Sequence, residues 1–467
     1  MYQQIKRSIS SNMLALRQKG SFAQNIAVTF TGSAMVTLLG VLLTPVMSRI
    51  YPPESYGQFA IYNSIVGNIS IVATLAYPWA LLLPKNRRRF LALVQLSVLL
   101  SLGVMVLLLL ATFLGGHSVL RWLHAEALGP WMYIIPLVIT VFNLNTIMNS
   151  WYLRNKDFRK RAGIDVATTL VGRGITIGYG AAFQGVLSGL IIGDVFNKLT
   201  AFISLLRGGI YRELGELYRS FSWRRVRSVA LEYRDYPIYS LPTGYLGTVA
   251  AQLPIFMLTT SFGTAMVGLY SFSTSLLELP IALIGNAIAP VFQQKATETH
   301  HQEPERLKFL CLELYNKLFY VGLIPFGIVT IFGDLLFKHI FGARWEMAGT
   351  FTAYLGYYYV FRLASLATAP VLALLRRQQV GLISTALLLV GRAVSLGIGM
   401  YLHDVNLAML LFGVSSLIIT FLIDMYILRL LHLSVVPIIL RTLFFISLTL
   451  IVLKLGRFAL EHLLLRF

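Results

Sequence analysis

The chain has 467 residues, of which 57% are hydrophobic and only 12% carry a charged side chain, and its mean hydropathy is +0.72. A water-soluble fold of this length needs far more charge on its surface, so the composition excludes one and indicates a protein that crosses a membrane many times. The net charge of +20 comes from short basic clusters between long apolar runs, a pattern that sets membrane topology and is not that of a nucleic-acid-binding protein.

Membrane-spanning helices need about 20 mostly apolar residues each, and the sequence offers twelve such stretches in succession. Residues 1–21 are basic and lack the apolar core of a signal peptide, so we expect a cytoplasmic tail there. The predicted spans are 22–50, 56–82, 90–114, 131–153, 163–183, 186–206, 237–262, 264–293, 307–335, 348–375, 381–401 and 406–428. A further apolar run at 435–453 is interrupted by Arg441 and is predicted to be either an extra helix or an interfacial segment.

The distribution of Lys and Arg predicts the orientation of these spans. With the N-terminus in the cytoplasm, the cytoplasmic segments hold 26 Lys and Arg residues and the opposite segments hold 4, as the positive-inside rule requires. The longest polar connection follows the sixth span and separates two lobes of six helices. The predicted parts are a cytoplasmic tail, an N-terminal lobe, a cytoplasmic linker, a C-terminal lobe and a C-terminal hydrophobic segment, at residues 1–21, 22–206, 207–235, 236–431 and 432–467.

Two short stretches recur in both halves of the chain. Leu170–Gly180 (LVGRGITIGYG) and Leu389–Gly399 (LVGRAVSLGIG) lie in the fifth and eleventh predicted spans. Tyr56–Ile65 (YGQFAIYNSI) and Val267–Leu276 (VGLYSFSTSL) open the second and eighth. We infer two pseudo-symmetric, parallel copies of six helices each, an arrangement found in transporters whose site lies near the membrane midplane. The glycines in these stretches are expected to let helices pack closely.

Charged residues inside the predicted spans are the candidates for a functional site. A charge within the bilayer costs free energy, so it usually faces a partner or a water-filled cavity. In the first half, Arg173 and Asp194 are predicted at a similar depth, roughly 20 Å from the cytoplasmic flank at about 1.5 Å per residue. They form either a structural ion pair or part of a ligand site. Lys198, four residues after Asp194, is a competing partner for that carboxylate.

The second half carries more positive than negative charge at depth. Arg362 and Arg392 are both predicted far from the cytoplasmic edge, and the nearest candidate counter-charge for either is Glu278. Such a cavity prefers an anion, and guanidinium groups suit phosphate oxygens in particular. The alternative is that both arginines extend toward the membrane surface or hold helices together.

Prolines inside the predicted spans are candidate bending points, because proline breaks the helical hydrogen-bond ladder. The hinge is expected at Pro254 and Pro242, together with Gly268 at the start of the eighth span. Pro280 and Pro370 are further candidates. The sequence shows no nucleotide-binding loop and no nucleophile paired with a base, so we do not expect an enzyme.

Three segments resemble the Wzx-type polysaccharide flippases of the MOP exporter superfamily. They are LTPVMSRIYPPESYGQFAIYNSI at 43–65, YLRNKDFRKRA at 152–162 and the long stretch YPIYSLPTGYLGT…AIAPVFQQK at 236–295. The resemblance implies an all-α membrane protein whose two lobes surround a central cavity and work by alternating access. It implies transport of an undecaprenyl-diphosphate-linked oligosaccharide from the cytoplasmic to the periplasmic leaflet of a bacterial inner membrane, for O-antigen, capsule or exopolysaccharide assembly.

Within this interpretation the candidate residues take specific roles. The diphosphate and sugar are expected at Arg392, Arg362, Arg173 and Arg49, where Arg49 is the only arginine of the first span and lies at its outer end. Glu278 or Asp194 could carry a coupling proton. No cofactor and no metal are expected beyond a coupling ion, H+ or Na+. The expected partners are the lipid-linked oligosaccharide, membrane lipid, and a polysaccharide polymerase and chain-length regulator, with no nucleic acid.

Two alternatives remain open on the sequence. A multidrug or small-molecule cation-coupled exporter of the same superfamily would expose acidic residues in its cavity. A non-transporting scaffold of a polysaccharide synthesis complex would tolerate replacement of Arg392 by alanine without loss of glycan export.

Overall fold

The computed structural model describes residues 22–122, 126–155 and 157–464, so the tail predicted at 1–21 lies outside the described residues. The described part is built of helices and turns and contains no β-strand. Eight stretches in it are long and apolar enough to cross a membrane. The structure therefore confirms the predicted all-α polytopic class, while the count of twelve core spans plus one extra helix stays a prediction.

The helices of the first half are α1 Phe22–Ile50, α2 Pro53–Ala73, α3 Arg87–Trp122, α4 Ile135–Arg154, α5 Phe158–Ala182, α6 Leu187–Arg207, α7 Leu214–Arg219 and α8 Trp223–Glu232. Those of the second half are α9 Leu241–Gln302, α10 Pro304–Phe341, α11 Glu346–Ala364, α12 Ala369–Leu374, α13 Gln378–Tyr401, α14 Val405–Leu430 and α15 Val435–Leu464. Helix α9 consists of two helices joined at Gly263, whose φ of 82° and ψ of 174° interrupt the helical path. This is the boundary expected between the seventh and eighth spans.

Two predicted spans are interrupted. The second ends as a regular helix at Ala73 and continues as a short 3-10 helix, Tyr77–Ala80. The break lies at Leu75 and Ala76, whose φ values of 50° and 58° interrupt the helical path. Pro78 follows in the first turn of the 3-10 helix, where its missing amide is tolerated. The tenth span breaks after Ala364 and resumes as α12, with Pro370 near its start. Pro370 was one of the expected bending points.

The C-terminal hydrophobic segment forms one helix, α15, which is longer than the apolar run predicted at 435–453. Arg457 of α15 donates hydrogen bonds at 2.8 and 3.0 Å to the carboxylate of Asp334 on α10. This ion pair holds α15 against α10, and its location in the membrane stays a prediction.

The chain divides into two compact units. The first comprises the described part of Met1–Leu43 together with Tyr62–Tyr245, and the second comprises Thr44–Ile61 and Leu246–Phe467 up to the last described residue. This division differs from the domain boundaries taken from the sequence, because Thr44–Ile61 joins the second unit and the linker at 207–235 joins the first. The lobe boundaries drawn from the sequence remain a prediction.

In the second unit the start of α2 crosses the part of α9 that follows Gly263. Gly57 and Gly268 lie at the crossing, so close that a β-carbon on Gly268 would lie 2.7 Å from the carbonyl carbon of Pro53. These two glycines occupy matching positions in the repeated stretches that open the second and eighth spans. The repeat therefore brings equivalent glycines into contact.

In the first unit the linker packs against the start of α3. Val226 and Val229 of α8 are almost fully buried, and Arg87 of α3 forms ion pairs with Glu213 at 3.1 Å and Glu216 at 2.6 Å. The linker is thus a docked element of this unit with its own buried contacts.

Candidate functional site

The two repeated arginine stretches use their glycines in the same way. A β-carbon on Gly172 would lie 3.1 Å from the carbonyl oxygen of Gly193, and a β-carbon on Gly391 would lie 2.5 Å from a side-chain carbon of Ile419 on α14. Each glycine therefore lets its helix approach the next one along the chain, as the sequence indicated. The arginines beside them have different surroundings and are considered separately.

Arg392 of α13 is buried inside the second unit, with 8% of its surface exposed. Its Nη1 donates a hydrogen bond to the carbonyl oxygen of Ala250 on α9 at 2.7 Å, and its Nη2 donates to the hydroxyl of Tyr358 on α11 at 2.9 Å. The guanidinium carbon also lies 5.2 Å from the ring centroid of Phe412 and 5.8 Å from that of Tyr358. Within the described residues it forms no ion pair, so its charge is held by a carbonyl, a hydroxyl and aromatic faces.

Arg362 has the opposite character, since its side chain is 44% exposed. Its Nε donates a hydrogen bond at 2.9 Å to the carboxylate of Glu278, whose side chain is 40% exposed. Arg362 stands in the last turn of α11, where the carbonyl groups at the helix end favour a cation. The counter-charge named from the sequence thus pairs with Arg362 and leaves Arg392 without a carboxylate.

Two tyrosines, Tyr270 and Tyr358, interact with both arginines, and a third, Tyr359, interacts with Arg362. Tyr358 bonds to Arg392 and lies one helical turn before Arg362 on α11. Tyr270 interacts electrostatically with both arginines and with Glu278, and Tyr359 interacts with Arg362 and Glu278. We call this group the arginine–tyrosine cluster; its members are Arg362, Arg392, Glu278, Tyr270, Tyr358 and Tyr359.

The cluster has two positive charges and one negative charge, so it carries a net positive charge. Its tyrosines were not singled out in the sequence, although two of them belong to the run YLGYYYVFR just before Arg362. An aromatic run that ends in a deep arginine is the signal that could have identified them.

The break between α11 and α12 is fixed by Asp424 of α14. Its carboxylate accepts hydrogen bonds from Ser365 at 2.8 Å and from Thr368 at 2.6 Å, both in the turn that separates the two helices. Asp424 is 1% exposed. The carboxylate therefore fixes the discontinuity that follows Arg362, a role that its sequence position did not indicate.

In the first unit, Asp194 pairs with Lys198 on the same helix, which is the competing local pair named from the sequence. Asp194 also accepts a hydrogen bond from the hydroxyl of Tyr62 at 3.0 Å. Arg173 is half-buried on α5 next to Gly172. A part in substrate binding stays a prediction for Arg173, and one in ion coupling stays a prediction for Asp194.

The remaining candidates lie apart from the arginine–tyrosine cluster. Arg49 is exposed near the end of α1, and its carbonyl oxygen accepts a hydrogen bond from Arg344. Pro254 and Pro242 lie in the part of α9 before Gly263, whereas Gly268 packs at the crossing with Gly57 described above. A hinge at these three positions stays a prediction, and no group of residues in the described ranges has the composition of a metal site.

Comparison with known proteins identifies the family. Residues 46–349 match the profile of a family described as "Polysaccharide biosynthesis protein". The chain belongs to this polysaccharide biosynthesis family. A search of curated proteins found no significant match.

Solved structures show the fold of this family member. It is similar to the lipid II flippase MurJ in an inward closed conformation, with a TM-score of 0.68 and 11% identity over 93% of this chain and 92% of that one. It is similar to an inward-facing multidrug resistance MATE family transporter of the MOP superfamily, with a TM-score of 0.64 and 13% identity over 87% and 98%. A third similar structure is a MOP superfamily transporter from Pyrococcus furiosus, with a TM-score of 0.58 and 14% identity over 88% and 96%. These relatives are transporters and flippases and not enzymes, and the predicted MOP fold is confirmed.

Proposed function

We propose that this protein is a flippase that moves an undecaprenyl-diphosphate-linked oligosaccharide from the cytoplasmic to the periplasmic leaflet of a bacterial inner membrane. Its cycle would be one of alternating access, with the N-terminus in the cytoplasm. The product would serve O-antigen, capsule or exopolysaccharide assembly, in company with a polymerase and a chain-length regulator. Membership of the polysaccharide biosynthesis family and a MOP fold support a flippase or transporter, and the arginine–tyrosine cluster supports an anionic substrate.

The observation that carries the proposal is the exposed ion pair between Arg362 and Glu278. Both side chains belong to helices of the transporter fold, and each is at least 40% exposed. Exposure of two charges to lipid would be prohibitive, so the pair requires a space that admits water. A wet space beside a guanidinium group is the environment in which a diphosphate can be bound.

Charge favours an anion over a cation at this place. The single carboxylate of the cluster is already paired with Arg362. Arg392 is buried, contacts the hydroxyl of Tyr358, and has no carboxylate partner of its own among the described residues. An organic cation would meet this excess positive charge, which disfavours the multidrug alternative. A diphosphate would meet Arg362 first, because Arg362 is the exposed arginine of the cluster.

The direction of transport also suits an anion. Movement of a negative charge outward across an inside-negative potential is favoured by about 2.3 kcal/mol per charge for each 100 mV. In the same proposal Arg173 and Arg49 would contact the headgroup at other stages of the cycle. Glu278 or Asp194 would take up a coupling proton, or a Na+ ion would serve instead.

The test is flipping by the purified protein in proteoliposomes that contain a fluorescent undecaprenyl-diphosphate oligosaccharide. Movement between leaflets is read from the fraction of label destroyed by a reductant that cannot cross the membrane. Arg362→Gln is expected to slow flipping by about tenfold or more, because a charge-assisted hydrogen bond to a phosphate contributes roughly 1.5–3 kcal/mol. Arg88→Gln makes the same chemical change at an exposed arginine on α3, outside the cluster, and is expected to flip at the normal rate.

Two further measurements separate this function from its alternatives. Undecaprenyl diphosphate without sugar should compete with the labelled lipid, whereas organic cations should not. An unchanged rate for Arg362→Gln would refute the assignment of the site. Transport of organic cations with no flipping of the lipid would refute the proposed function itself.

A further inference from the structure

Helix α9 lacks one backbone hydrogen bond in the segment before Gly263. In an α-helix the amide of each residue donates to the carbonyl four residues earlier. Pro254 has no amide hydrogen, so the carbonyl of Ala250 has no helical donor. Ala250 is only 4% exposed, and a buried carbonyl without a partner is costly.

Arg392 supplies the missing donor from another helix. The 2.7 Å hydrogen bond from its Nη1 ends on the carbonyl oxygen of Ala250, the atom that Pro254 deprives of its helical donor. A charged donor makes a stronger hydrogen bond than a neutral amide. Arg392 lies on α13 and Ala250 lies on α9, 142 residues apart in the sequence, so this bond joins the two helices.

The other groups of Arg392 are also occupied by the protein. The hydroxyl of Tyr358 accepts from Nη2, the hydroxyl of Ser416 lies 3.4 Å from Nε, and the ring of Phe412 lies against the guanidinium. An entering phosphate would have to displace these contacts in a place that is 8% exposed. Arg362 is exposed and meets Glu278 through Nε, so a phosphate can approach its terminal amino groups at a lower cost.

We propose that Arg392 is a positioning residue that replaces the amide absent at Pro254 and holds this segment of α9 against α11 and α13. It does not bind the transported headgroup. The Pro254 segment and the anion contact are linked because Tyr358, which bonds to Arg392, and Arg362 lie one turn apart on α11. This inference deepens the proposed function and rests on it for the transport measurement alone.

The test is a double-mutant cycle between Arg392→Gln and Pro254→Ala. Alanine at 254 restores an amide that can donate to the carbonyl of Ala250, so the arginine is no longer needed there. In the natural background Arg392→Gln is expected to slow flipping by about tenfold or more. In the Pro254→Ala background the same change is expected to slow flipping by less than about threefold, since the two positions act on one hydrogen bond.

Arg362 provides the matched control, because it is the arginine expected to meet the headgroup. Arg362→Gln should slow flipping equally in both backgrounds, as restoring a backbone hydrogen bond cannot replace a ligand contact. If Arg392→Gln is as damaging with Pro254→Ala as without it, the proposal is overturned. The same holds if Arg392→Gln abolishes binding of undecaprenyl diphosphate while the thermal unfolding of the protein is unchanged.

Thermal unfolding in detergent tests the role of Arg392 without any substrate. It compares the natural protein, the Arg392→Gln and Pro254→Ala variants, and the double variant. Arg392→Gln should lower the unfolding temperature in the natural background and lower it much less in the Pro254→Ala background. This result would stand even if the transported molecule is not the one proposed, so the two proposals can fail separately. If Arg392→Gln does not fold, recovery of folded protein in the double variant supports the proposed role of Arg392. Continued failure to fold contradicts that role.

Discussion

The crossing of α2 and α9 makes a sharp prediction about Gly268. A methyl group at this position would come within 2.7 Å of the carbonyl carbon of Pro53 and 3.0 Å of the amide nitrogen of Gly57. Both contacts are to backbone, so no side chain can rotate out of the way and the helices must separate. Overpacking typically costs about 1–3 kcal/mol, and we expect Gly268→Ala to cost about 3 kcal/mol.

The assay is thermal unfolding in detergent, followed by circular dichroism. At about 2–4 °C for each kcal/mol in units of this size, Gly268→Ala should lower the unfolding temperature by roughly 6–12 °C. Gly247→Ala, in the same helix α9 with open space around the added methyl group, is the control. It should leave stability unchanged or raise it by up to about 1 kcal/mol, because alanine favours a helix over glycine.

Gly57→Ala tests the same contact from the other side, since its added carbon would lie 2.8 Å from the carbonyl carbon of Thr264. The two substitutions should not be additive, because once the helices separate for one methyl group there is room for the second. A Gly268→Ala protein with normal unfolding temperature and impaired flipping would refute the packing argument. Such a result would favour Gly268 as the hinge expected from the sequence.

Three further predictions concern buried and docked groups. Asp424→Ala should lower the free energy of unfolding by about 2 kcal/mol, because it removes the two hydrogen bonds that Ser365 and Thr368 donate to the buried carboxylate, and chemical denaturation of the detergent-solubilised protein would measure this. The hydrogen bonds from Arg87 lower the pKa of Glu216, so linker docking is strongest above the ordinary carboxyl pKa and weakens as pH falls through the lowered value. Limited proteolysis of the linker should therefore accelerate in acid, and Arg87→Ala should remove most of that pH dependence. Trp345→Phe should cost about 1 kcal/mol in denaturation, since the indole of this buried residue donates at 2.9 Å to a backbone carbonyl.

Much of the fold could be predicted because membrane helices are encoded locally. A run of about 20 apolar residues is enough to form a spanning helix wherever it occurs, so the predicted segment 22–50 coincides with α1. Gly263 lies between two apolar runs, and the helical path is interrupted at this residue, where φ is 82° and ψ is 174°. The boundary between these two spans is therefore also encoded locally. The breaks near Pro78 and Pro370 were harder to place, because a proline permits a kink, a 3-10 turn or a complete stop, and packing selects among them.

The candidate site was only partly predictable. The number of residues between each arginine and the cytoplasmic end of its span placed Arg362 and Arg392 deep in the membrane, since depth follows from the distance along a helix. The same count identified Glu278 as the nearest counter-charge. Depth does not give the direction in which a side chain points around that helix. The exposure of Arg362 and the burial of Arg392 therefore appear only when α9, α11 and α13 are assembled.

The sequence by itself determined the polytopic helical class, the repeated stretches and the excess of deep arginine, because hydropathy, spacing and charge are properties of the chain read in order. Only the tertiary structure decided which arginine pairs with Glu278 and which one reaches the carbonyl left open by Pro254. The physical reason is that a hydrogen bond needs two atoms within about 3 Å. Partners far apart in sequence reach that distance only through the packing of whole helices.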